Sequence, residues 1–172
     1  MLLGLLSVLP AASADHIPGQ PCNGCASHAL WPTIRGKVKK ATGGRSVRYV
    51  GTRRSDELLG HHGSDVLSGR GGSDVLWGDH DPSGQPASQR DVIYGGDGND
   101  FIYGSHGRNT IYGGRGNDAI SVHYGRGVVD CGPGRDIVHV PRSRRKAYRL
   151  IHCEKVDRRS ERQRGGGLRP LP

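Results

Sequence analysis

A nine-residue period runs through about half of the chain and limits its fold more than any other feature. The units are GTRRSDELL, GHHGSDVLS and GRGGSDVLW over 51–77, then GGDGNDFIY, GSHGRNTIY, GGRGNDAIS, VHYGRGVVD and CGPGRDIVH over 95–139. Between these two blocks, RDVIY over 90–94 supplies the second half of one more unit. A unit this short cannot bury a hydrophobic face alone, so the units must stack on one another as a solenoid.

Two places of the repeat are nearly constant. The eighth place is aliphatic in all nine units: Leu58, Leu67, Leu76, Ile93, Ile102, Ile111, Ile120, Val129 and Val138. The sixth place is aspartate in seven of them, with Asn109 and Gly127 as the exceptions. Glycines at the first, second and fourth places permit a positive φ and a tight turn. The last three residues predict a short strand whose middle side chain points inward.

Apolar burial alone does not explain the stability of such a stack. Only 33% of the 172 residues are hydrophobic, and the chain has 29 Gly but one Phe and one Met. Burying one aliphatic side chain per unit gains roughly 1.5–3 kcal/mol. Ordering the backbone costs about 1–2 kcal/mol for each residue. Another interaction must supply the difference.

The unit resembles the haemolysin-type (repeats-in-toxin) calcium-binding nonapeptide, Gly-Gly-x-Gly-x-Asp-x-aliphatic-x. GGDGNDFIY and GGRGNDAIS match it at every position, and the resemblance covers about 51–139. It implies an all-β fold, a right-handed parallel β-roll, with calcium bound between the glycine-rich turns. The chemistry agrees, because stacked aspartates repel and Ca²⁺ accepts 6–8 oxygen ligands. A metal-free glycine-rich solenoid, in which aspartate only forms turns, is the alternative.

The resemblance implies metal ligands in the turns. The predicted ligands are Asp56, Asp65, Asp74, Asp91, Asp97, Asp100, Asp118, Asp136, Gly96, Gly98, Asn99, Gly114, Gly116 and Asn117. Asp79 and Asp81, in the loop over 78–90, are further candidates.

The order of the units predicts how these aspartates are distributed. Two units make one coil, so successive turns alternate between two edges of the roll. If the interruption counts as one unit with a swollen turn, one edge carries Asp56, Asp74, Asp100, Asp118 and Asp136. The opposite edge then carries Asp65, Asp91, Asn109 and Gly127. We predict up to four calcium sites on the first edge and at most one on the second.

The segments outside the repeats predict an exported chain. Residues 1–14 have an apolar run and an Ala-x-Ala site ending at Ala14, typical of a signal peptide, although no Lys or Arg precedes Arg35. A buried N-terminal strand or helix is the alternative, and no other segment is long and apolar enough to span a bilayer. The predicted divisions are a signal peptide (1–14), an N-terminal segment with a degenerate first repeat (15–50), the roll (51–140), a capping segment (141–157) and a basic disordered tail (158–172).

The four cysteines, Cys22, Cys25, Cys131 and Cys153, allow three pairings. Cys22-x-x-Cys25 alone fits a redox motif or half a zinc site, but structural disulfides suit an exported chain better. VDCGPGRDIV followed by HCEKV resembles the closing segment of bacterial calcium-binding repeat proteins. That resemblance implies a Cys131–Cys153 disulfide that pins the cap, leaving Cys22 and Cys25 to each other or to an outside partner.

Charge is distributed unevenly along the chain. Residues 51–140 carry twelve acidic and eight basic side chains, whereas 141–172 carry eleven basic and three acidic ones. The basic tail could bind an anionic cell-surface polymer, with a merely solvated tail as the alternative. Export argues against a nucleic-acid partner.

The sequence predicts a secreted, monomeric calcium-binding protein and no enzyme. It contains neither His-Glu-x-x-His nor Gly-x-Ser-x-Gly. The histidines fall mostly in turns, which is typical of surface polar residues. Trp77, Tyr94, Tyr103 and Tyr112 occupy the ninth place and point outward. They predict cross-strand aromatic pairs or, alternatively, the sugar-binding face of an adhesin-like module that binds cell-surface polysaccharide.

Overall fold

The chain winds back and forth between two parallel β-sheets. The computed structural model describes residues 31–81 and 84–159. The strands are β1 (Val38–Lys40), β2 (Arg48–Val50), β3 (Glu57–Leu59), β4 (Val66–Gly71), β5 (Val75–Trp77), β6 (Arg90–Asp97), β7 (Phe101–Tyr103), β8 (Arg108–Arg115), β9 (Ala119–Ser121), β10 (Arg126–Asp130), β11 (Ile137–His139), β12 (Tyr148–Ile151) and β13 (Lys155–Asp157). Odd-numbered strands form a seven-stranded sheet and even-numbered strands a six-stranded one. The predicted all-β parallel roll is confirmed.

The pairing of strands places the interruption in the repeat pattern. β5 pairs with β7, Leu76 lying opposite Ile102, and β4 pairs with β6, Leu67 lying opposite Ile93. In each pair, one strand precedes the loop over 78–90 and the other follows it. Only one strand, which belongs to the other sheet, separates the two in sequence. The interruption therefore counts as one unit with an enlarged turn, as predicted.

The core lies between the two sheets and consists of the eighth-place side chains. All nine of them are fully buried. Cys131, Val122, Val140 and Tyr148 extend this cluster towards the C-terminus. The predicted inward direction of the eighth place is therefore confirmed.

Two features of the repeats differ from the prediction. β4, β6 and β8 have six, eight and eight residues rather than three, because pairing continues through the glycine turn, where Gly96 lies opposite Gly114. In addition, the seventh place is buried on the odd-numbered sheet. Val75, Phe101, Ala119 and Ile137 form a second cluster. Trp31 and Ile34 pack against this cluster, and the repeat pattern alone does not indicate that contact.

Coils beyond the predicted roll continue both sheets. β1 and β2 precede the first clear repeat, and β12 and β13 follow the last one. The predicted Cys131–Cys153 disulfide is present, with the two Cα atoms 5.2 Å apart, and it joins the last coil to the one before it. Cys22, Cys25, the predicted signal peptide and residues 160–172 lie outside the described residues. Among the described residues, no helix has the length and apolar character needed to cross a membrane.

The disulfide should contribute strongly to stability. Its cysteines are 22 residues apart, and closing a loop of that length stabilises a fold by about 3 kcal/mol in the loop-entropy account. Cys153→Ser keeps the buried Cys131 side chain and removes only the cross-link. We expect urea denaturation in saturating calcium to give an unfolding free energy lower by about 3 kcal/mol. Reductant should lower the unfolding free energy of the wild-type chain by about as much as the substitution does, and should lower that of the variant far less. Equal stability of variant and wild type would contradict the assignment.

Candidate metal centre

One edge of the roll carries an uninterrupted column of buried carboxylates. Asp56, Asp74, Asp100, Asp118 and Asp136 are each at most 1% exposed. The backbone N–H of each of the first four donates a hydrogen bond to Oδ1 of the next aspartate, with N···O distances of 2.7, 2.8, 2.9 and 2.7 Å. The predicted column on this edge is therefore present.

The second oxygen of most of these carboxylates has no partner. Oδ2 of Asp74, Asp100, Asp118 and Asp136 is buried and accepts no hydrogen bond from any described residue. A buried polar atom without a partner costs about 1–3 kcal/mol, and more when it is charged. Four successive turns thus present an unsatisfied oxygen in the same position.

The first-place glycines show what surrounds these oxygens. A Cβ atom added at Gly95 would overlap both Asp100 Oδ2 and the carbonyl oxygen of Gly113 in the next coil. A Cβ at Gly113 would likewise overlap Asp118 Oδ2 and the carbonyl oxygen of Cys131. A carboxylate oxygen and a carbonyl oxygen therefore approach the same point in each turn. This donor set, all oxygen and partly anionic, fits a hard cation such as Ca²⁺.

The surroundings of the column disfavour aspartate carboxylates that are ionised and not neutralised. Burial, reinforced by repulsion from neighbouring carboxylates, raises the pKa of Asp74 to about 7, of Asp100 to about 8, of Asp118 to about 7 and of Asp136 to about 6. Near neutral pH the column must therefore hold protons, repel itself or be neutralised by a cation.

Asn99 and Asn117, both predicted as ligands, take part in a second ladder beside the column. Asn99 Oδ1 accepts the backbone N–H of Asn117 at 2.8 Å, and Asn117 Oδ1 accepts that of Arg135 at 3.0 Å. Ser73 Oγ accepts the N–H of Asn99 at 3.2 Å. The structure thus gives these side-chain oxygens a role in holding neighbouring coils together.

The predicted glycine ligands lie at the tip of the turn. Gly96, Gly98, Gly114 and Gly116 have φ values of 120°, 130°, 112° and 127°, which L-residues rarely adopt. A Cβ at Gly114 would overlap the carbonyl oxygen of Gly96, and one at Gly116 that of Gly98. These carbonyl oxygens therefore face the following turn, while the predicted ligand Asp97 is exposed at the rim.

The opposite edge begins with the same ladder and then loses its charge. The N–H of Asp65 donates to Asp91 Oδ1 at 2.8 Å. Ser105 Oγ then donates to Asp91 Oδ2, and the next sixth-place residue, Asn109, donates through Nδ2 to the Tyr148 hydroxyl oxygen at 2.8 Å. Both Asp91 oxygens therefore have partners in the protein. The predicted fading of this column is confirmed, and neutral hydrogen bonds replace it.

One further carboxylate, not among the predicted ligands, belongs to the column. Glu154 lies eighteen residues after Asp136, and its Oε2 accepts the Asp136 N–H at 2.8 Å. It therefore continues the column into the last coil. The spacing of eighteen residues is the signal in the sequence that identifies it. At the other end, the Thr52 N–H and hydroxyl bond Asp56 Oδ2 at 2.5 and 3.1 Å, so that aspartate is satisfied locally.

The ninth-place aromatic residues stack in pairs along each sheet. The ring centroids of Trp77 and Tyr103 are 4.7 Å apart, and those of Tyr94 and Tyr112 are 5.1 Å apart with an interplanar angle of 5°. These are the predicted cross-strand pairs. Within each pair, the ring faces are directed at each other.

Comparison with known families agrees with this geometry. Residues 50–79 and 88–120 match the RTX calcium-binding nonapeptide repeat family, in four copies. The matched segments include six of the seven sixth-place aspartates, all except Asp136. No match was found among curated proteins or among solved structures. Over these two segments the chain therefore matches RTX calcium-binding repeats, and the structure folds them as part of a parallel β-solenoid.

Proposed function

We propose that this is a secreted protein whose roll folds on binding calcium between successive turns of the Asp56–Asp136 edge. One observation carries the proposal: buried carboxylate oxygens without partners recur at the same position in four consecutive turns. A fold that retained these atoms without a ligand would be destabilised at every coil.

The residues that would hold the ions follow from the contacts. Asp74, Asp100, Asp118 and Asp136 supply Oδ2. For the first three, a carbonyl oxygen of the first-place residue in the next coil lies beside that atom. Turn carbonyls of Gly96 and Gly98 and their counterparts in the next coil supply further ligands. Bound there, Ca²⁺ supplies the positive charge that offsets repulsion along the column. The opposite edge offers at most one site, near Asp65 and Asp91.

The expected affinity suits an extracellular role. Extracellular calcium modules bind with Kd of roughly 10⁻⁴–10⁻³ M. At about 1 mM calcium each site then contributes around 0.4–1.4 kcal/mol, and four sites roughly 2–6 kcal/mol. That gain is comparable with the net stability of a small domain, so the roll would open in a calcium-poor cytosol and close outside the cell. In this role the chain acts as a structural and binding module, not as an enzyme.

A calcium titration of the full chain tests the proposal. Circular dichroism should show a cooperative gain of β-structure, and calorimetry should show several ions bound per chain, with magnesium at equal concentration giving little of either. The reason is that magnesium prefers to keep its water and demands a stricter octahedral geometry. Native β-structure that persists in excess chelator, with the disulfide reduced, would overturn the proposal.

A further inference from the structure

A second group of metal-ligating side chains lies where the loop over 78–90 meets the second repeat. His61 and His62 occupy the second and third places of GHHGSDVLS, and Asp79 is the second residue of the loop. One ligand atom from each of the three lies within 4.8 Å of the other two. None of these residues belongs to the Asp56–Asp136 column.

The three side chains are held in mutual contact. His62 Nδ1 and Asp79 Oδ2 are 2.8 Å apart, and the His61 and His62 ring centroids are 4.1 Å apart. Asp79 is buried at 1% exposure, and both histidines are half-buried. The group therefore combines two imidazoles with a carboxylate already removed from water, unlike an exposed acidic cluster.

Side chains of the loop orient the carboxylate. Asp79 Oδ1 accepts the backbone N–H of Asp81 at 3.1 Å, and Gln89 Nε2 donates to Asp79 Oδ2 at 3.5 Å. Gln85 Nε2 donates to the carbonyl oxygens of Asp79 and Asp81 at 3.2 and 2.6 Å. Hydrogen bonds of this kind fix the direction of ligands in protein metal sites.

A fourth donor lies within reach. Asp81 Oδ2 is 3.7 Å from His61 Nε2. A small shift of this partly exposed side chain would bring a second carboxylate to the group, and water could fill the same position. Four donors from imidazole and carboxylate match the usual tetrahedral coordination of zinc.

We propose that His61, His62 and Asp79 bind a divalent transition-metal ion of the zinc type, with Asp81 or water as the fourth ligand. The donor set selects the class of ion, because imidazole nitrogen suits zinc, copper and nickel, whereas calcium and magnesium prefer oxygen alone. The site gives a function to the loop over 78–90, which stacking of the coils does not require. It is separate from the proposed calcium edge, so either can fail without the other.

Zinc binding to the full chain in saturating calcium tests this site. Calorimetry should find one Zn²⁺ per chain at this site, and Co²⁺ should give the intense visible absorption of a tetrahedral complex. His62→Ala and Asp79→Asn should each weaken binding at least tenfold, since loss of an outer-shell partner alone typically costs 10–100-fold. His152→Ala is the matched control, because His152 is exposed and pairs with Asp130 away from the site.

Three outcomes would overturn the site. The first is zinc affinity unchanged in both His62→Ala and Asp79→Asn. The second is displacement of zinc by millimolar calcium, which would make this an oxygen-type site. The third is loss of zinc binding in His152→Ala. Calcium-induced circular dichroism reports folding of each variant, and His61→Ala replaces Asp79→Asn if the latter fails to fold.

Discussion

Asp118→Ala should abolish much of the calcium-induced folding, and Asp65→Ala should cost far less. Asp118 stands between two other members of the column: its Oδ1 accepts the Asp100 N–H, and its own N–H donates to Asp136. Its loss therefore affects two proposed sites, worth roughly 0.8–2.8 kcal/mol together at about 1 mM calcium. A lost buried hydrogen bond adds about 1–3 kcal/mol. Asp100→Ala should behave in the same way.

Asparagine variants separate charge from hydrogen bonding. Asparagine already occupies the sixth place at Asn109, where its Oδ1 accepts the N–H of Ser105, so the side chain fits this turn. Asp118→Asn should keep its bond to Asp100 and still raise the calcium concentration needed for half-maximal folding. Asp65→Asn should raise that concentration much less, because it replaces one of the two oxygens that accept the N–H groups of Val47 and His61 but removes no charge from the Asp56–Asp136 column. Equal damage at positions 65 and 118, measured by calcium titration under circular dichroism, would refute the one-edge arrangement.

Without calcium, the roll should become more stable as the pH falls. Burial raises the pKa of Asp74 and Asp118 to about 7 and of Asp100 to about 8, against an ordinary value of 3.8. The folded chain therefore binds more protons than the unfolded chain across this interval. The resulting stability is complete below about pH 4 and is lost as the pH rises through about 7 to 8. Calcium should reverse the trend, because protons then compete with the bound ion.

Thermal unfolding in metal-depleted buffer, with the Cys131–Cys153 disulfide left intact to stabilise the calcium-free roll, measures this slope between about pH 5 and 8. The same series in saturating calcium is the comparison. The double variant Asp100→Asn, Asp118→Asn should flatten the calcium-free profile, since amides do not titrate. If the calcium-free unfolding temperature instead rises with pH, other groups of the protein already neutralise the carboxylates of the column.

The sequence predicts those parts of the fold that each unit repeats. Leu76 and Ile102 each face inward because the strand period fixes their direction, and Asp74 and Asp100 stack because the coil period is constant. Burial of Phe101 was not predictable in this way. Phe101 belongs to a cluster against which Trp31 and Ile34 pack, and no period relates these two residues to the repeats.

The two candidate metal sites also differ in how far the sequence predicts them. The column could be predicted from spacing, and Glu154 obeys that spacing too. The contact between His62 and Asp79 could not, because it depends on the path of a loop that Gln85 and Gln89 hold by hydrogen bonds. Spacing predicts contacts between equivalent positions, whereas loop contacts depend on a particular chain path.

The hydrogen bonds made by fifth-place and sixth-place side chains prevent neighbouring coils from slipping past each other. A three-residue strand between glycine-rich turns has only one inward aliphatic side chain to fix its position, so the strands alone align neighbouring coils weakly. The sixth-place bonds donate from the earlier coil to the later, as from Asp100 to Asp118, and the fifth-place bonds donate in reverse, as from Asn117 to Asn99. A shifted coil would break both bonds at once. The register between neighbouring coils is therefore set at the turns, where each side-chain oxygen accepts the N–H of one particular residue. The strands of the two sheets are aligned as a result.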